Sequence, residues 1–296
     1  MNRFIKACLT AALICIFAGG AIAVVSSAFG GNVMDVLPEP MKQWKTQLGD
    51  ISSNELFDQE DFLSDKDFGY YMDQGEIIYT TEGVKELHGD ITLGMVLIKD
   101  DSPDETITIN SNQEASGYEI TEEDGTLTLS NRSGKKKRRG DDILFTIHIP
   151  KNYEFSRVDF DLHRSGMNQK SQVTRLTLSA KGLNAVEMDL AARGGAIRIE
   201  QGKVGTFQSE VEAGALAFAG AMNGDVSVKC RAGAVSLNPG GKKEDFNYDL
   251  NCKLGAVKLG EDGMSVLESS NQFDHGAEKD MNLDVEVGAI KVNYGN

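Results

Sequence analysis

The stretch "VEAGALAFAG", Val211–Gly220, is soon followed by "CRAGAVSLNPG", Cys230–Gly240. In both, an alternating polar and apolar run meets Gly-Ala and resumes in the opposite phase. "GGAIRIEQG" from Gly194, "KLGAVKLGEDG" from Lys253 and "EVGAIKVNYG" from Glu286 repeat the arrangement. In register on Gly195, Gly214, Gly233, Gly255 and Gly288, the copies stand 19, 19, 22 and 33 residues apart.

Three positions before each Gly stand Ala192, Val211, Cys230, Cys252 and Val285, and seven before stand Met188, Phe207, Val226, Tyr248 and Met281. The positions between are mostly polar, with Arg193, Glu212, Arg231, Lys253 and Glu286 two before the Gly. Period two is the signature of a strand with one buried face. Beyond the Gly the apolar residues move to Ile197, Leu216, Val235, Val257 and Ile290, so the inward phase flips. A flip with apolar residues on both sides marks a corner around one interior. Glycine supplies the torsions of such a bend and alanine is small enough to fill it.

A corner recurring every 19–22 residues predicts an all-β, single-chain parallel β-solenoid, or β-helix, whose coils bury their apolar faces on one another. The longer last interval predicts a loop around "ESSNQFDHGAEKD", and "NPGGKKED" a smaller excursion. Upstream, "DITLGMVLIKD", "ETITIN", "GTLTLS", "ILFTIHIP", "RVDFDL" and "TRLTLS" keep period two without the corner. They are read as earlier, less regular coils of the same body. Cys230 and Cys252 fall in one inward column on successive copies. They are expected as a stacked pair of buried thiols or, at ~4.8 Å between strands, as a disulfide.

"DGTLTLS", then "ILFTIHIPKNYEFSRVDFDL", then the serial Gly-Ala-Ile and Gly-Ala-Val units resemble the bacterial putative-adhesin family, β-solenoid proteins of the cell envelope. The resemblance covers residues 84–296 and implies a binding module. It brings no catalytic motif to carry over.

The N-terminus supplies an address. Arg3 and Lys6 precede an uncharged run, Ala7 to Phe29, which as a helix would reach about 34 Å, enough to cross a bilayer. Cations before the span favour an exported remainder. Residues 1–30 are therefore read as a transmembrane anchor at the cell membrane. A cleaved signal peptide, with small residues at "AIA" and "SSA", is the alternative and would leave the chain secreted. Residues 31–83, where Lys66 is the sole base between Asp50 and Glu82, are read as an acidic juxtamembrane stalk. Residues 84–296 form the β domain.

A net charge of −15 disfavours nucleic acid as a partner. The one basic run, "KKKRR" at Lys135–Arg139, is read as a solvated loop. His88, His148, His163 and His275 lack ligand spacing, the acidic pairs look like turns, and no metal or cofactor is expected. Glycoside hydrolysis needs two carboxylates about 5–10 Å apart. The outward columns of the five copies, Asp189, Gln208, Ser227, Asp249, Asn282 and Ala191, Glu210, Lys229, Asn251, Asp284, stack no two acids on neighbouring copies. The chain is therefore expected to be a non-enzymatic, adhesin-like binding or scaffolding module of the envelope. Its partner would be envelope polymer, a surface protein or a membrane protein. A sensory or regulatory accessory protein acting through a membrane partner is the alternative, and a polysaccharide-acting β-helix enzyme the third reading.

Overall fold

The computed structural model describes residues 75–92, 94–112, 118–131, 144–163, 176–260 and 262–294. The expected span at 7–29 and the basic run at 135–139 lie outside them, as does most of the stalk. Among the described residues no helix is long and apolar enough to cross a membrane.

Sixteen strands form one sheet among those residues. They begin with β1 (Glu76–Glu82), β2 (Glu86–Ile91), β3 (Gly94–Ser102), β4 (Thr106–Ser111), β5 (Glu119–Glu123), β6 (Thr126–Asn131), β7 (Leu144–Pro150) and β8 (Glu154–His163). There follow β9 (Leu176–Lys181), β10 (Asn184–Arg193), β11 (Ala196–Val211), β12 (Gly214–Met222), β13 (Val226–Asn238), β14 (Phe246–Leu259), β15 (Asp262–Phe273) and β16 (Lys279–Val292). β1 lies inside the span read as stalk, so the sheet starts earlier than the first quoted alternation.

The hydrogen-bonded path runs β1-β4-β7-β3-β9 along one wall and turns through the long β11. It returns as β10-β8-β2-β6-β5. Its two ends meet: Tyr79 Oη on β1 donates to Glu122 Oε2 on β5 at 3.0 Å. The sheet is thus a nearly closed, barrel-like wrap around one core.

The parallel β-solenoid expected from the repeat is corrected on two counts. The sheet is mixed, with β1–β4, β4–β7, β5–β6 and β14–β15 pairing antiparallel. Side-chain alternation is the same in both kinds of ladder, so periodicity carried no information on strand direction. Nor do the copies follow one another in space. β16 pairs with β13 on one side and β14 on the other, lying between two strands that precede it in sequence. The first six residues expected as a loop in the last interval, 268–273, belong instead to β15, a hairpin partner of β14.

The core follows the register. Val158, Met188, Phe207, Val226, Met281 and Tyr248 stand side by side on successive strands and are all buried. Past the corner, Phe145, Val96, Leu178, Ile197, Leu216, Val235, Ile290 and Val257 form a matching row on the other wall. Gly89 faces Phe160 across β2 and β8, and a Cβ there would lie 2.1 Å from the ring. The phenyl group occupies the space the glycine leaves. On β3 the alternation fails because both faces are covered: Met95 and Leu97 join Leu144 in a second, smaller cluster apart from the main core.

The corner glycines do align. Gly214 pairs with Gly233, Gly233 with Gly288 and Gly288 with Gly255. Close approach is what demands glycine here. A Cβ on Gly214 would sit 2.2 Å from the Gly195 carbonyl oxygen, and one on Gly233 would sit 2.3 Å from that of Gly214. Gly288 combines the same contact, 2.2 Å from the Gly233 oxygen, with a φ of +142°.

Candidate functional site

The outward residues of the second wall form polar rows running across the strands. One row reads His88, Asp159, Asp189, Gln208, Ser227, Asn282, Asp249 on β2, β8, β10, β11, β13, β16 and β14. The next reads Asp90, Asp161, Ala191, Glu210, Lys229, Asp284, Asn251. Neighbouring members are one strand apart, ~4.8 Å.

These rows bring acids together where β8 meets β10 and β2. Asp159 is in register with Asp189, and Asp90 with Asp161. Among the five copies neither row sets two acids on neighbouring strands; the paired acids involve β2 and β8, which lie outside that alignment. β8 carries the same inward pattern as the copies, Val158, Phe160 and Leu162 beside Met188, Leu190 and Ala192, but no Gly-Ala follows it. That missing corner hid Asp159 and Asp161 from the alignment.

Arginines thread the carboxylates. Arg157 Nη2 lies 3.5 Å from Asp159 Oδ2 and 4.0 Å from Asp189 Oδ2, and its Nη1 lies 3.8 Å from Glu187 Oε2. Arg193 Nη1 reaches Asp161 Oδ2 at 3.3 Å, and its Nε lies 4.0 Å from Glu212 Oε1. His163 Nδ1 lies 3.5 Å from Asp90 and 3.7 Å from Asp161. Arg231 continues the chain to Glu210 at 3.1 Å and Glu212 at 3.5 Å, and Lys253 meets Glu286 at 3.3 Å. Individually such half-exposed pairs stabilise by only ~0.2–1 kcal/mol. Their collective effect is to hold the side chains in ordered rows.

Partial burial lifts the Asp189 carboxyl above its usual range, and the Asp159 charge beside it adds to the lift while Arg157 opposes it. Asp161 is raised for the same first reason, with Arg193 and His163 opposing. The remaining histidines are spoken for elsewhere: His148 Nδ1 contacts Asp101 Oδ1 at 2.6 Å and His275 Nδ1 the Phe246 carbonyl oxygen at 2.8 Å. Among the described residues no three His, Cys, Asp or Glu side chains are grouped as a metal-holding set.

Cys230 and Cys252 are buried thiols in one column, but they are not neighbours. Val285 of β16 is in register with both and stands between them. Burial pushes the Cys230 thiol up to about 12 and raises Cys252 as well.

No family model matches the chain, and no curated protein matches it. Solved structures do. A "putative cell adhesion protein" from Clostridium sporogenes aligns over 75% of this chain and 99% of its own, at 12% identity and a TM-score of 0.36. A "putative adhesin" from Bacteroides fragilis covers 72% and 96%, at 13% identity and 0.29. One from Parabacteroides merdae covers 72% and 93%, at 14% identity and 0.28. All three carry adhesion names, in keeping with the resemblance read from the sequence. Similarity this low leaves fold and function to be argued from the chain's own residues.

Proposed function

We propose that the chain is a non-enzymatic, adhesin-like binding or scaffolding module of the cell envelope. It is held at the membrane by residues 1–30, spaced by the acidic segment that follows, and exposes the β body outside the cytoplasm. The observation that carries this reading is the pair of outward rows from His88 to Asp249 and from Asp90 to Asn251. Carboxylate, amide or hydroxyl side chains stand there on every strand. Rows of this kind fit a linear polymer rich in hydroxyl or amine groups, which meets a similar donor or acceptor at each step. Many weak, evenly spaced contacts on one rigid face add up without a deep pocket.

One observation favours catalysis as a second reading. Asp189, raised by burial and in register with Asp159 one strand away, offers the pair of carboxyl groups that glycan hydrolysis requires. Against it, Asp159 and Asp189 are 40% and 46% exposed and share Arg157, an open and charge-balanced setting rather than a dry cleft.

The test is retention of insoluble wall polymer by immobilised residues 31–296. Wild type is expected to retain it and a variant with Asp159, Asp161 and Asp189 changed to alanine to lose it. Equal retention would overturn the site. Release of new reducing ends, abolished by Asp189→Asn, would replace binding by hydrolysis.

A further inference from the structure

We infer that β16 is the last strand to enter the sheet, and that the thiols of Cys230 and Cys252 must stay unjoined until it has done so. β16 matches both flanking strands position for position, with Val226, Met281 and Tyr248 aligned at one end and Leu237, Val292 and Leu259 at the other. Neither ladder contains a register shift. The three strands therefore carry one interchangeable pattern. Without β16, β14 closes onto β13 in the same register, and Cys230 lies beside Cys252.

Chain order favours that closure first. Gly233 and Gly255 are 22 residues apart, whereas Gly233 and Gly288 are 55 apart. Loop closure falling as the three-halves power of length favours the shorter contact about fourfold. Synthesis from the N-terminus adds to the bias, because β14 is complete before β16 exists. Adjacent parallel strands bring the two thiols to ~4.8 Å between Cα atoms, within disulfide range.

The finished order then wins on charge and burial. Direct pairing places Arg231 beside Lys253. β16 puts Glu286 between them, 3.3 Å from Lys253, and buries Met281, Leu283, Val285, Ile290 and Val292. Its lead-in, residues 274–278, crosses the end of β14 and is latched there. Asn247 Oδ1 accepts from the His275 and Ala277 amides at 3.0 Å each, and its Nδ2 donates to the Ala277 carbonyl at 2.9 Å. The same Nδ2 donates to Asp280 Oδ1 at 3.0 Å.

Oxidation before insertion would lock β16 out. The two Sγ atoms join, and two protons and two electrons pass to a thiol–disulfide oxidant such as glutathione disulfide, which becomes two glutathiones. After insertion Val285 stands between the sulfurs and the same oxidant finds two buried thiols.

The experiment dilutes the full-length chain from reductant and denaturant into a glutathione redox buffer. Linked peptides are mapped by mass spectrometry. The expected result is loss of both thiols to a Cys230–Cys252 link, in a species newly cut by trypsin after Lys291. Chain refolded under reductant and only then moved to that buffer keeps both thiols and an uncut Lys291. Asn247→Ala, which loosens the latch, raises the linked fraction. Cys252→Ser reaches the trypsin-resistant form in either buffer. No link on oxidative refolding, a linked species with β16 still protected, or linkage of the finished protein at the refolding rate would each overturn the inference.

Discussion

Replacing Gly233 by alanine adds one methyl group where the corners of β12, β13 and β16 touch. That methyl would sit 2.3 Å from the Gly214 carbonyl oxygen and 3.0 Å from Val211 Cγ1, against 3.4–4 Å for ordinary contact. The corner must therefore open by about 1 Å, and the obstacle is backbone, which cannot swing aside. A ladder hydrogen bond of about 2.9 Å stretched this far passes the useful limit. One or two such bonds at about 1 kcal/mol net, with 1–3 kcal/mol for overpacking, give a cost of about 3 kcal/mol. For a body of this size that lowers Tm by roughly 6–12 °C. Where the conformation suits alanine and space is open, the same substitution stabilises by about 0.4–1 kcal/mol, so the sign alone discriminates. Thermal and urea unfolding followed by far-ultraviolet circular dichroism read it directly. Gly276→Asn is the control: Gly276 has a φ of +67°, and nothing lies within 4 Å of its missing Cβ. Asparagine tolerates that conformation, so the control should stay within about 0.5 kcal/mol of wild type. An alanine variant at position 233 melting at or above wild type would refute the close-approach account of the corner.

Asn247→Ala removes the latch bonds over the β14 end and should cost about 2–4 kcal/mol, counting about 1 for each lost bond. A urea midpoint equal to wild type would show that the crossover needs no latch. Asp161 and Asp189 titrate higher folded than free, so the folded chain holds their protons more tightly and stability falls as pH rises from the ordinary carboxylate value of 3.8 through the raised values. Asp161→Asn and Asp189→Asn should therefore melt above wild type near neutral pH, with the advantage shrinking below about pH 4. An advantage that grows in acid would reverse the sign and exclude burial as the cause.

Much of the all-β body could be read from period two alone, and the Gly-Ala corner was recognisable because five copies repeat it. Strand direction was not, since alternating side chains look alike in parallel and antiparallel pairs. The neighbour order was open to a reading that spacing alone did not provide. Sequence order sets Arg231 against Lys253, whereas placing the last copy between them gives Arg231, Glu286, Lys253 and an alternation of charge. Charge complementarity between strands thus held the topology that intervals concealed. The acidic rows were half visible: Asp189 stood in the aligned copies, but Asp159, Asp161 and Asp90 lie on strands without the glycine that anchored the alignment.

The antiparallel strands at the two extremities bear on how copies behave when crowded. A body that ended on one of its own repeat strands would offer the next molecule a template in perfect register, and growth end to end would produce fibres. Here one extremity closes with β1 and β5, and the other with β15, each reversed against its neighbour. An incoming repeat strand meets an inverted sequence of side chains, and Glu119, Glu122 and Glu123 on β5 add like charge against an identical approach. The reversal that breaks the regularity of the sheet thus denies an identical chain a matching edge on which to extend.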